Sequence, residues 1–432
     1  MKKQLILLTL LLTTQLFAME KDNPYSYQTS QSSSKMDIER SFQSSQMDEE
    51  KQDLVSKKKN EIRSWIENLE HELIKDFGEL ADSNGWLTQL QNLRNELNPS
   101  KKSILNTIRK NTKNNEIIKN YCLDIGDSLT DLPHLMLKNR IKEYFKNEAK
   151  IGTVFGIDEK KEGNGRQLGA VIKVKTYTYN DVLQFYVKTH QYGLLSQTMT
   201  SAAKPVDLKE LFAYKFLNLC GITPEVHFFY DDSVNFYIAT KNDGYSQSGS
   251  TEFVTYDKAI KDESFSKINK EVLQGSFELA DFYSRVMVLE DVLTNSGNFG
   301  FIWDKESGYE NTKFKLVDFQ APGSKVSYKL NGNLFGGWET ANGSYKYSDQ
   351  IYEVLNVDLN TKKKVIKPLL HSVEKIKNYI DQSSHEVKTI VTKLYSKETD
   401  RDKNLKDLNN YTEAVLYHYN DLYTKIDEYN SD

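Results

Sequence analysis

At residue 151 the hydrophobic pattern changes period, and that change limits the folds open to this 432-residue chain. Before it, "IRSWIENLEHELIKDFGELA" sets Ile62, Trp65, Ile66, Leu69, Leu73 and Phe77 three and four apart, one stripe of an amphipathic helix. After it, "IGTVFGI", "GAVIKVKTYTYN" and "VLQFYVKTH" are rich in β-branched and aromatic residues and read as strands. "DLKELFAYKFLNLCG" reads as a helix, with Asp207 as N-cap and Gly221 as its stop. "PEVHFFYDDSVNFYIAT" reads as a hairpin around "DDS". A polar insertion (241–268) and the apolar helix "SFELADFYSRVMVLEDVLTN" come next. A second hairpin then pairs "NFGFIWD" with "KFKLVDFQ" around "KESGYENT". The stretch to about 350 is loop-rich, and helical period returns from about 362 to 430. Strands grouped between helical ends make the class α+β.

The first residues, "MKKQLILLTLLLTTQLFA", join a two-lysine start to an apolar run from Leu5 to Leu12 and a small residue at Ala18. They read as a secretory signal peptide, 1–18. The run is too short and wrongly flanked for a transmembrane helix, so no stable membrane insertion is expected after cleavage. Residues 19–50 are Ser/Gln-rich with few aliphatics and read as a disordered linker. Residues 51–150 read as a helical region packing on the main domain. Cys122 and Cys220 sit in apolar surroundings, which favours buried free thiols over a disulfide framework. The expectation is a secreted protein without disulfide dependence, periplasmic, extracellular or delivered into a host cell. A formal charge of −4 and the lack of a basic stripe argue against nucleic acid as a partner. The seven histidines form no HxxxH or HExxH pair and no GxSxG occurs, which excludes the common zinc and serine hydrolase layouts.

The elements after 151 come in a telling order: glycine-bearing hairpin, strand ending in Lys, helix bearing Glu, two strands, helix, Asp/Asn loop, strand ending in Asp-Phe. Each part suits phosphoryl transfer from ATP. Glycines let backbone N–H groups approach nucleotide phosphates, and Gly163, Gly165 and Gly169 lie between the first two strands. Lys188, in "FYVKTH", offers a charge to the α/β-phosphates, and Glu210 is the helix acid placed to hold it. Mg²⁺ takes hard oxygen ligands, which Asp318 with Asn298 or Asn295 can supply.

These segments, "KTHQ…KPVDLKELFAYKFLNLCGITPEVHFF…FYIAT…VLEDVLTNSGNFGFI…KLVDF", resemble the atypical kinase branch of HipA-like kinases, phosphatidylinositol kinases and actin-fragmin kinase. The family's helix pattern, E-x-x-x-x-x-x-L-x-x-x-G-I-x-x-P, is matched by Glu210, Leu217, Gly221 and Ile222, with Pro224 one residue early. The resemblance covers about 150–320. It implies a bilobal protein-kinase-like domain over 151–360, with an N-lobe of about 151–243 and a C-lobe of about 268–360. Helical extensions flank it, the second over 361–432.

One departure matters. The family's loop is D-x-L-I-x-N-x-D-R-H-x-x-N-x-G. Asp291 and Leu293 match its opening, Asn295 falls one residue early for its Asn, and "GNFG" matches its close, but the D-R-H that carries the catalytic aspartate is missing. Asp291 precedes Asn295 by four residues and Asn298 by seven, either side of the ordinary kinase spacing. Three outcomes stay open: Asp291 serves as the base, transfer proceeds by positioning alone, or the chain binds nucleotide as a pseudokinase. The expected function is phosphotransfer onto a protein with ATP and Mg²⁺; the alternative is a non-catalytic interaction scaffold.

Overall fold

The computed structural model describes residues 30–98, 101–159, 169–178, 181–189, 206–230, 236–293, 295–304, 308–319, 321, 334–339, 349–394 and 398–428. The expected signal peptide, Gly163 and Gly165 lie outside them. Among the described residues no helix is long and apolar enough to cross a membrane.

The fold is α+β. It starts with α1 (Ser30–Phe77), α2 (Glu79–Ser83), α3 (Trp86–Glu96), α4 (Lys102–Asn111) and α5 (Glu116–Glu143). The stripe of Ile62, Ile66, Leu69 and Leu73 packs with Leu90, Leu93, Ile108 and the Ile118–Leu132 face of α5 as one core. Residues 30–50, expected as a disordered linker, are helical instead. No glycine or proline interrupts Ser30–Phe77, so a helix fixed by the apolar stripe extends backward at low cost per residue.

After α5 comes a sheet in the order β1-β2-β3-β5-β4, every neighbouring pair antiparallel. Its strands are β1 (Gly152–Glu159), β2 (Gly169–Thr176), β3 (Val182–Thr189), β4 (Val226–Tyr230) and β5 (Phe236–Lys241). Between β3 and β4 runs α6 (Leu208–Leu219). Alternation along the strands divides the sheet's residues between two cores. Phe185, Val187, Phe229 and Tyr237 join Leu137, Ile141 and Phe145 at the far end of α5, while Phe228, Phe236 and Ile238 join the core of α6. Tyr144 stacks on Phe229 at 4.4 Å, and Arg140 donates to the Tyr230 carbonyl.

Local chemistry fixes α6 as expected. Asp207 accepts from Lys209 N at 3.0 Å. At the other end Gly221 takes φ 78°. Gly221 N and Ile222 N then donate to Asn218 O and Leu217 O, both at 2.9 Å, the paired bonds of a Schellman end.

The expected polar insertion is in part ordered structure. It contributes β6 (Thr251–Thr255) and α7 (Tyr256–Lys261), and β6 joins β7 (Phe299–Asp304) and β8 (Gly308–Leu316) in a second antiparallel sheet. Mostly half-buried residues leave little pattern to read in β6. Between them α8 (Lys270–Met287) runs through the large core. It stops eight residues short of the expected end at Asn295, because Val288 takes φ 52°. Then come α9 (Leu334–Glu339), α10 (Asp349–Leu355), α11 (Leu359–Ile366), α12 (Val373–Leu394) and α13 (Glu398–Glu428), with residues of α12 and α13 in the same core as α6 and α8. Both cysteines are free, Cys122 buried and Cys220 half-buried; burial pushes both thiols up to about 12, so neither is a ready nucleophile.

Candidate functional site

Period-two alternation turns Lys188 away from Val187, out of the α5 core and toward α6. Its ammonium lies 2.7 Å from Asp318 Oδ1 and 3.2 Å from the Tyr214 hydroxyl. Tyr214 in turn lies 3.3 Å from the same Asp318 oxygen, and Phe319 N donates to it at 3.1 Å. All three bonds to the carboxylate fall on Oδ1. The Asp318 side chain is half exposed, at 51%. Phe319 is buried, its ring 4.4 Å from Tyr214, which anchors the main chain beneath the exposed acid.

Burial by itself would lower the Lys188 pKa, but Tyr214, Asp318 and Glu210 outweigh it and hold the group above its ordinary value. Burial also keeps the Tyr214 phenol well above its ordinary value, so it acts as a neutral hydrogen-bonding relay. Glu210 is half-buried on α6 and close enough to act on Lys188 electrostatically. Lys188 and Asp318 therefore meet, with Glu210 within electrostatic reach, although Lys188 and Asp318 are 130 residues apart in the chain. Sequence reasoning missed Tyr214. Its signal is the one-turn spacing from Glu210, which places both on one helix face.

The loop after α8 meets this group through main chain. Asn298 O accepts from Val317 N at 2.8 Å and from Asp318 N at 3.2 Å. The Asn298 side chain donates from Nδ2 to Asp291 O at 2.8 Å. A carbonyl only accepts, so this bond fixes the amide's orientation and leaves Oδ1 for another partner. Asp291 is exposed, with φ 59°. It stands outside the helix, in the left-handed region that Asp tolerates better than most residues. Asn295, one of the two asparagines read as a metal ligand, is exposed, and its Oδ1 takes Gly297 N at 3.1 Å. That is an Asx turn, so Asn295 shapes the loop while Asn298 keeps its oxygen. Gly169 opens β2 and pairs in register with Lys188.

Among the described residues no group of three or more His, Cys, Asp or Glu is placed to hold a metal. Asp318 with Asn298 is a set suited to Mg²⁺, which binds through one or two protein oxygens together with substrate phosphates. A separate polar cleft of about 480 Å³, lined by Lys215, Asn218, Glu225, His227, Asp243 and Glu386, lies away from these residues. Lys215 pairs with Glu386 at 3.1 Å and His227 with Glu225 at 3.1 Å, while Asp243 lies 3.7 Å from Lys315.

No protein-family model matches the chain, and no curated protein matches it. The functional reading rests on the residues themselves.

Proposed function

We propose that the chain is a bilobal, protein-kinase-like phosphotransferase that uses ATP and Mg²⁺ to modify a protein. The observation that carries this reading is the contact of Lys188 with Asp318, within electrostatic reach of Glu210, beside a loop in which Asn298 bonds to Asp291 O. Lys188 binds the α/β-phosphates, and Glu210 keeps it oriented. Asp318 and Asn298 hold Mg²⁺, which supplies charge neutralisation at the phosphates when bound. Asp291 accepts the proton of the substrate hydroxyl. Gly169, paired with Lys188 at the start of β2, lies beside the phosphates.

A second reading has its own observation: the turn between Asn295 and Asn298 carries no carboxylate where the D-R-H aspartate would stand. A pseudokinase or interaction scaffold fits that loop. Thermal shift with ATP, with and without Mg²⁺, combined with γ-phosphate labelling separates the two. A Mg²⁺-dependent shift lost in Asp318→Ala, with labelled product, is expected. A shift without labelling leaves a pseudokinase, and no shift in the unaltered chain overturns nucleotide binding altogether.

The leader sequence, together with the kinase layout, supports export and action in or on a host cell, where ATP is present. Fractionation of the producing culture tests this: retention in the producing cytoplasm excludes it.

A further inference from the structure

The last four carbonyls of any helix need donors from outside its own ladder. At the end of α8 each one has a partner. Leu289 N reaches Ser284 O at 2.9 Å, and Val288 N reaches Arg285 O at 3.3 Å. His418 Nδ1 lies 2.8 Å from Val286 O, and the Tyr411 hydroxyl donates to Met287 O at 2.7 Å. The last two donors come from α13, and both side chains are buried. The turn is strained: Val288, a β-branched residue at φ 52°, occupies the position glycine usually fills. Strain of that kind persists only where the surroundings over-determine the backbone. Three residues further on, the chain reaches Asp291.

The same helix also grips α6. Asp407 lies 2.6 Å from Lys209 Nζ, whose side chain is only 4% exposed. The ring of Tyr411 packs edge-on against Phe212, with centroids 5.9 Å apart. Lys209 adjoins Glu210, so one face of α13 touches the helix that carries Glu210 and the helix end that delivers Asp291.

We propose that α13 sets the spacing of the two halves of the candidate site, with Tyr411 and Asp407 as positioning residues. The catalytic consequence rests on the phosphotransferase reading; the mechanical one does not. Tyr411→Phe keeps the ring on Phe212 and removes the bond to Met287 O. Hydrogen–deuterium exchange on the full chain is expected to show residues 288–298 exchanging about fivefold to tenfold faster in this variant, with residues 62–132 unchanged. Asp407→Asn is expected to speed exchange at 207–212, and Asp407→Glu to restore it. With ATP, Tyr411→Phe is expected to lower kcat about tenfold and leave KM for ATP unchanged. Exchange that rises evenly across the chain, or kcat and KM both unchanged while the melting temperature falls, reduces α13 to core packing and overturns the proposal. If the unaltered chain neither binds nor turns over ATP, the phosphotransferase reading fails while the local exchange contrast still decides the role of α13.

Discussion

Asn298 donates its side-chain amide to Asp291 O at 2.8 Å, while its own carbonyl receives the N–H groups of Val317 and Asp318 at 2.8 and 3.2 Å. One residue thus ties both acidic positions of the candidate site together. Asn298→Ala is expected to cost about 1–2 kcal/mol in urea unfolding, because Asp291 O loses its donor. Asn298→Asp keeps an oxygen for metal but sets a carboxylate against that carbonyl, so it should be the less stable of the two near neutral pH. Wild-type stability in Asn298→Asp would contradict the assignment.

Lys188 has a half-exposed ion-pair partner, and exposed pairs contribute little to stability. Lys188→Met is therefore expected to change unfolding free energy by less than about 1 kcal/mol and yet abolish the ATP-dependent thermal shift. Lys188→Arg should not rescue it. A flat guanidinium does not replace a compact ammonium that sits 5.6 Å from the Tyr214 ring centroid while bonding to both Tyr214 and Asp318. The two variants can be compared by denaturation and nucleotide titration.

Glu278 is buried on α8, 3.5 Å from the equally buried Lys362 ammonium. Burial pushes its carboxyl from 4.5 up to about 8, against the pull of Lys362. A raised folded pKa means the native state binds the proton more tightly. That stabilisation is complete below the unfolded pKa and is lost as pH rises through about 8. Glu278→Gln is expected to flatten the decline in stability across this window. His418 works in the opposite sense: burial lowers its pKa from 6.5, so its contribution is present above 6.5 and lost as pH falls. Urea titrations at stepped pH test both signs.

Gly300 lies on β7, paired with Thr255 of β6. A Cβ there would sit 2.3 Å from Val254 O and 2.8 Å from the Phe253 ring. Gly300→Ala is expected to cost about 1–3 kcal/mol. Gly297→Ala is the control, since its Cβ would meet only Asn295 Oδ1, at an ordinary 3.5 Å. Equal stabilities for the two variants would rule out the close approach of β6 as the reason for glycine at 300.

Features governed by neighbouring residues were legible in the sequence. The cap at Asp207, the stop at Gly221 and the two hairpins all follow from short-range chemistry, while Lys188, Glu210 and Asp318 were grouped by the order of their elements along the chain. What tertiary packing decides was not. Nothing in "VMVLEDVLTN" marks Val288 as the end of a helix, because its left-handed turn depends on donors from Tyr411 and His418, more than a hundred residues away. Tyr214 is one buried aromatic among many on α6, and only the folded sheet brings Lys188 to its hydroxyl. The strand β6 lay hidden because partners on β7, not its own pattern, define it.

The helix α5 has 28 residues, about 42 Å of rod, and belongs to two cores at once. Its first half closes the helical bundle, and its last turns cover Ala170, Ile172, Val174, Phe185 and Val187 on the sheet. A fragment cut at 151, where the sequence changes texture, would leave that apolar face wet and prone to aggregate. The smallest autonomous piece must begin before Leu137. A chimera that swaps the prefix for another sequence would therefore have to keep this helix to keep the sheet's core closed.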